Sequence, residues 1–384
     1  MTTPAIRRVC KFCVMDSSVP TLTFDANGRC EACRDAERRM PHEWWPNEEG
    51  ARRQAAMVEQ LRAAGRGRPY DAMIGLSGGV DSAYLAHHVV RNLGLRVLAV
   101  HVDGGWNSVH AVRNIELLVR NLDLDLHTFV VEWPEMRDIQ LSLLRASVLN
   151  QDIPQDHAFF STLYRTAMRY NISHFLSGVN FSSESVAPTE WGHTYMDARH
   201  IRAVQRRFGT GKLRDYPFMS LPEFMWHTRV TRRLSVHRPL NYLAYDKEAA
   251  KRELERVYGW QNYGGKHCES RFTKFYQEIY LPRKFGFDKR SLHLSSLILA
   301  GQLTRAQALE ELTTPITTPQ QARRDVKFVA KKLQITPREL EELTASPPID
   351  HLEYPNQLWF FKFLHFGKKL LQRVRHVGKH VSNS

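Results

Sequence analysis

At 384 residues, 42% of them hydrophobic and 24% charged, the chain has the make-up of a soluble protein with two or three domains and a sizeable core. That composition excludes low-complexity and disulfide-stapled classes. The formal charge of +14 admits a polyanionic partner, such as tRNA or an acidic protein, or a basic surface serving phosphorylated small molecules; Lys and Arg gather only modestly, near 199–214, 229–238 and 368–379, so nucleic acid is not the expected partner.

The first ten residues lack the apolar run of a signal peptide, and no run of about 18 apolar residues offers a transmembrane segment. The expected localisation is therefore cytoplasmic. Residues 1–40 hold four of the five cysteines, as Cys10-x-x-Cys13 and Cys30-x-x-Cys33, with 16 residues between the pairs. This is zinc-ribbon spacing: each pair turns two thiolates toward one ion, and four complete a tetrahedron. A reducing cytosol disfavours disulfides between them. Structural zinc is expected, and an iron–sulfur cluster suits the same spacing. Residues 41–69 read as a polar connecting helix, broken by Gly65, Gly67 and Pro69.

From residue 70 to 285 apolar strands alternate with amphipathic helices. Strands are expected at 71–76, 96–102, 127–131 and 174–177, with helices at 82–92 and 108–122. Such alternation gives an α/β fold with a parallel sheet covered on both faces, and ligands in such sheets sit beyond the carboxyl ends of the strands. Residues 286–384 read as a helical C-terminal region, with helical periodicity at 291–300, 304–312, 320–333 and 337–343.

Between the first strand and first helix lies Ser77-Gly78-Gly79-Val80-Asp81-Ser82. Adjacent glycines let backbone N–H groups approach an anion closely, and the helix that follows points its positive end at the same place. Ser77 and Ser82 add hydroxyl donors. Asp81 repels a bare phosphate and reads as the holder of a phosphate-bridging magnesium ion. A Walker loop needs Gly-Lys followed by Ser or Thr; Gly211-Lys212 runs into Leu213 and Gly265-Lys266 into His267. The three spaced glycines of a dinucleotide fingerprint are absent too.

The string resembles the signature of the PP-loop ATP pyrophosphatases, the superfamily of GMP synthetase, asparagine synthetase and tRNA-modifying enzymes. The resemblance implies ATP cleavage between the α and β phosphates and transfer of AMP to a substrate oxygen, which turns a poor leaving group into a good one. It also implies nucleotide contacts from Val102 and Asp103 at the end of the second strand. After the fourth strand, Gly178 would let the backbone approach the ligand, and Glu184 would hold magnesium.

Nitrogen transfer, tRNA thiolation and tRNA amine ligation all fit that loop. Thiolation needs extra cysteines near ATP, and only Cys268 lies outside the ribbon, which disfavours it. Nitrogen transfer needs ammonia. Residue 2 is Thr2, and no Gly-x-Cys-x-Gly elbow occurs, so a glutaminase would have to be a separate subunit.

Further motifs narrow the choice: Cys10-Lys11-Phe12-Cys13-Val14-Met15-Asp16, Phe24-Asp25-x-Asn27-Gly28-x-Cys30, the run from Gly264-Gly265-Lys266-His267-Cys268-Glu269-Ser270-Arg271 to Thr273, Lys284-Phe285-Gly286-Phe287-Asp288-Lys289-Arg290, and His293-Leu294-Ser295-Ser296. Together they resemble the N-acetyl sugar amidotransferases over residues 9–315. That resemblance implies adenylation of the acetamido oxygen of a nucleotide sugar and its replacement by ammonia, giving an acetamidino group for lipopolysaccharide O-antigen. It implies as partners a glutaminase similar to that of histidine biosynthesis and a companion cyclase-like barrel. The runner-up is a tRNA-modifying PP-loop enzyme, and a third reading is a zinc-bearing nucleic-acid-binding module without catalysis.

Within the Gly264 run, Lys266 is a candidate to neutralise leaving pyrophosphate and Arg271 to clamp a phosphate or sugar carboxylate. His267 and Glu269 are candidates for the proton that ammonia loses. The basic aromatic tail, Trp359-Phe360-Phe361-Lys362-Phe363 onward, is expected to pack on the chain's own core rather than on a membrane or partner.

Overall fold

The computed structural model describes residues 7–19, 21–188, 195–227, 234–262 and 269–358. The basic aromatic tail lies outside them. The N-terminal cysteine module leads into α1 (Glu31–Glu43), whose N-cap is Cys30 itself, and then α2 (Glu48–Ala64), capped by the Asn47 side chain. Five strands follow, with helices between them. They run β1 (Ala72–Gly75), α3 (Val80–His87), β2 (Val97–Asp103), α4 (Val109–Leu122), β3 (Asp125–Val130), α5 (Trp133–Ala146), α6 (Ile153–Arg169), β4 (His174–Leu176), α7 (Phe181–Glu184), α8 (Ala198–Phe208), α9 (Leu221–Met225), β5 (Ser235–His237) and α10 (Lys247–Tyr258).

All strands pair in parallel in the order β3-β2-β1-β4-β5. Alternate side chains take opposite faces. Ile74, Val97 and Ala99 join a core with α2, α3, α4 and α10, whereas Met73, Leu98 and Val100 pack with Leu163 and Ala167 of α6. The four strands read from sequence are present within two residues at each end. The edge strand β5 was not foreseen, because three residues beside Arg238 and Pro239, with Val236 exposed, carry no run of apolar alternation.

The chain steps from β1 outward to β2 and β3, then crosses back to place β4 on the other side of β1. Loops leaving β1 and β4 therefore diverge, and a crevice opens at their carboxyl ends.

A helical rod follows, made of α11 (Arg271–Phe275), a π segment (Tyr276–Tyr280) and α12 (Leu281–Phe285). The helices α13 (Arg290–Leu299), α14 (Arg305–Thr313), α15 (Pro319–Leu333) and α16 (Pro337–Ala345) come next. Threonine caps at Thr304, Thr318 and Thr336 start the last three. One hydrophobic core joins the cysteines, Trp106, the rod and α15. Arg305 clamps the cysteine module from α14, donating to the carbonyls of Cys10 (2.9 Å) and Cys13 (3.1 Å). No helix among the described residues is long and apolar enough to cross a membrane.

Candidate active site and metal centre

The loop after β1 is built so that only glycine fits at its centre. Gly78 has φ +83°, and a Cβ there would lie 2.5 Å from the Ala111 carbonyl oxygen of α4. The two loop hydroxyls brace one another, with Ser77 Oγ 3.1 Å from Ser82 Oγ, and Ser77 Oγ accepts from the Gly79 N–H at 3.3 Å. From β4, Gly178 lies against the same loop: a Cβ on it would meet the Asp81 carbonyl carbon at 3.1 Å and the Ser82 nitrogen at 3.2 Å. The Ser77-to-Ser82 loop thus sits in the crevice that the strand order opens.

Asp81, in the first turn of α3, is held from three sides. Its Oδ1 accepts from the Tyr245 hydroxyl at 2.7 Å and the Asn180 amide at 3.1 Å, and its Oδ2 is 3.8 Å from Lys247 Nζ. Tyr245 is buried, and burial together with the Asp81 charge pushes its hydroxyl well above the ordinary phenol range, so it stays a proton donor.

Asp81 and Lys247 line a cavity of about 350 Å³ with Gly79, Gly178, Glu184 and Lys251. A second cavity of about 250 Å³ adjoins it, lined by His101, Val102, Gln155 and Lys289, and the two share Ser77, Asp156, Phe159 and Glu269. Asp156 opens into this junction from the first turn of α6. The surrounding protein, and then the charge of Asp152, raise its carboxyl to about 7, with Lys289 opposing.

The residues singled out from sequence are distributed as follows. Ser77, Gly79, Val80, Asp81, Ser82, Gly178 and Glu184 meet at the first cavity; Val102 lines the second; Glu269 lines both. Asp103 instead caps a turn, accepting from the Gly105 N–H at 2.7 Å. Arg271 lines neither cavity. It donates to Asp325 at 2.9 Å and lies over the Phe328 ring, bracing α11 against α15. Lys266 and His267 lie outside the described residues. Tyr245, Lys247 and Asp156 were missed, since no local motif marks them and the topology alone delivers them.

Asp81 and Glu184 on one wall suit magnesium, which takes one or two carboxylates plus substrate phosphates. In the cysteine module all four thiols are buried, with Sγ atoms within 4.8 Å of one another, Cys10–Cys33 at 3.8 Å and Cys13–Cys30 at 3.5 Å. A tetrahedral zinc with bonds of about 2.3 Å would place its sulfurs about 3.8 Å apart, so the donor set fits a single ion. Backbone N–H groups of Phe12 and Cys13 point at Cys10 Sγ, both at 3.4 Å.

Residues 269–370 match the family described as LPS biosynthesis protein WbpG-like, C-terminal domain, a stretch that overlaps the resemblance read from the sequence over residues 269–315. No curated protein matches the chain. Among solved structures it is similar to an NH3-dependent NAD synthetase from Campylobacter jejuni subsp. jejuni NCTC 11168 in complex with the nitrate ion, at 19% identity and TM-score 0.27, over 35% of this chain and 58% of that one. It is also similar to NMN synthetase from Francisella tularensis, at 18% identity and TM-score 0.35, over 69% of this chain and 91% of that one. The chain thus spans little more than half the length of the NAD synthetase.

Proposed function

We propose, for a chain that carries a WbpG-like C-terminal domain over residues 269–370, that it is the ATP-dependent synthetase of an N-acetyl sugar amidotransferase. The observation that carries this reading is the Ser77-to-Ser82 loop lying against Gly178 in the crevice between β1 and β4, with Asp81, Lys247 and Glu184 lining the same cavity.

In this reading the acetamido oxygen of a nucleotide-linked sugar attacks the α-phosphorus of ATP, and pyrophosphate leaves. Backbone N–H groups of the loop and Lys247 offset the charge building on the phosphates. Magnesium, held by Asp81 and Glu184, supplies further neutralisation when bound. Ammonia then adds to the activated carbon and loses a proton, and AMP departs with the former amide oxygen, leaving the acetamidino group. Asp156, at the junction of the two cavities and titrating near neutrality, is the acceptor for that proton; Glu269 and His267 are the other candidates. Lys266 would meet the leaving pyrophosphate.

In this reading the ammonia would come from a separate glutaminase with a cyclase-like barrel companion. The product would serve lipopolysaccharide O-antigen. The test supplies ATP, magnesium, ammonium and a nucleotide N-acetyl sugar, and looks for AMP, pyrophosphate and a sugar in which NH replaces O. AMP release with tRNA but with no sugar tried would sink the proposal and favour the tRNA-modifying reading.

A further inference from the structure

A third face of the molecule carries a built cavity that the proposed reaction does not use. It encloses about 610 Å³ between β3, the far half of α6, α8 and residues 213–218, a size within the range of small-ligand sites. Along α6, Arg169 stands about 20 Å from Asp156, so this cavity is remote from the loop.

Four arginines line it: Arg165, Arg169, Arg202 and Arg214, with His127, against the single acid Asp215. Arg165 pairs with Glu223 at 3.3 Å. The guanidiniums of Arg169, Arg202 and Arg214 have no carboxylate partner among the described residues; Arg202 lies over the Phe218 ring at 4.3 Å and Arg169 over Tyr170 at 5.8 Å. Thr162 lines the same cavity, with its hydroxyl buried in the wall and out of reach of solvent.

The rim is not a loose loop. The Glu135 carboxylate accepts the backbone N–H groups of Arg214 (2.7 Å), Asp215 (3.1 Å) and Tyr216 (2.7 Å), and the Tyr216 hydroxyl donates to the Pro154 carbonyl at 2.7 Å. Planar guanidiniums match phosphate oxygens two at a time, and Phe129 and Phe218 give flat apolar surface.

We propose that this cavity is a second ligand site, for a phosphate ester of nucleotide size, separate from the ATP loop. The three unpaired guanidiniums hold its phosphates.

The test is calorimetric titration of the full chain with uridine diphosphate, after the loop has been saturated with an ATP analogue carrying a methylene between the α and β phosphorus atoms. One further binding event is expected. It should weaken about tenfold or more in Arg169→Gln/Arg202→Gln, as charge-assisted bonds are lost, with the affinity for the analogue unchanged. No event beyond the loop, or equal binding by the double variant, would overturn the proposal. A single-stranded oligonucleotide that binds the same arginines more tightly than the diphosphate would overturn it as well, since the surface would then read phosphodiester backbone.

Discussion

The Tyr245 hydroxyl donates a 2.7 Å hydrogen bond to Oδ1 of Asp81, joining residues 164 positions apart in the chain. Asp81→Asn should keep the fold and lower AMP formation about 100-fold or more, the scale set by losing one preorganised charge. Tyr245→Phe should cost about tenfold, since Asn180 and Lys247 still hold the carboxylate. Release of AMP and pyrophosphate with circular dichroism on each variant decides it. Full turnover by Asp81→Asn would remove this carboxylate from the mechanism.

Gly78→Ala combines two faults, a side chain at φ +83° and a Cβ 2.5 Å from the Ala111 carbonyl oxygen. The loop must shift off α4, at a cost of about 1–3 kcal/mol. A lower melting temperature and loss of AMP formation are expected together. Gly79, at φ −75°, carries no backbone strain against alanine and should lose less melting temperature than Gly78 on the same substitution. Equal melting of the two variants would refute the steric account.

The contrast between these residues shows what the sequence made legible. The glycine loop and the cysteine pairs are local: a few consecutive residues carry both the turn and the ligands, so spacing alone locates them. Tyr245, Lys247 and Asp156 reach the site only because β4 crosses back beside β1 and α6 lies over the sheet, and no short window encodes that. Arg271 shows the converse. Its motif was read as phosphate-binding, but the basic side chain is matched by Asp325, 54 positions away, which periodicity within α15 does not single out. The edge strand β5 escaped because pairing with β4, rather than its own apolar pattern, makes it a strand.

Asp156 gives a pH dependence with a definite sign. Its carboxyl titrates near 7 in the folded chain against about 3.9 when unfolded. Folding therefore favours the protonated form, and this contribution is full below about pH 4 and is lost as pH rises through 7. Because Asp156 is exposed to the cavity solvent, its contribution is screened, and Asp156→Asn should raise the melting temperature only slightly at pH 8, with no difference near pH 4. In the reaction run at constant free ammonia, wild-type rate should rise through pH 7, and the variant should lose that limb while still exchanging pyrophosphate into ATP in the presence of the sugar. An unchanged limb would return the proton to Glu269 or His267.

The cysteine module should hold one zinc per chain by elemental analysis. Because Arg305 bonds the carbonyls of Cys10 and Cys13, and Val14 N–H donates to Ser295 Oγ at 3.3 Å, loss of the ion loosens α13 and α14 as well as the module. A strong chelator or Cys30→Ser should lower the melting temperature, with zinc restoring it in the chelated wild type. Visible absorption and bound iron would replace zinc with a cluster.

Arg271 separates a structural role from the phosphate clamp that its motif implied. Asp325 is 2% exposed and is shared between Arg271 at 2.9 Å and Lys274 at 2.7 Å, with the Gln321 amide at 3.0 Å. Arg271→Gln leaves a buried carboxylate with fewer donors, which costs about 1–3 kcal/mol, and the melting temperature should fall while KM for ATP stays unchanged. Adding Asp325→Asn removes the charge that lacked its partner and should recover part of the loss. A raised KM for ATP without a thermal change would put the guanidinium back on a phosphate.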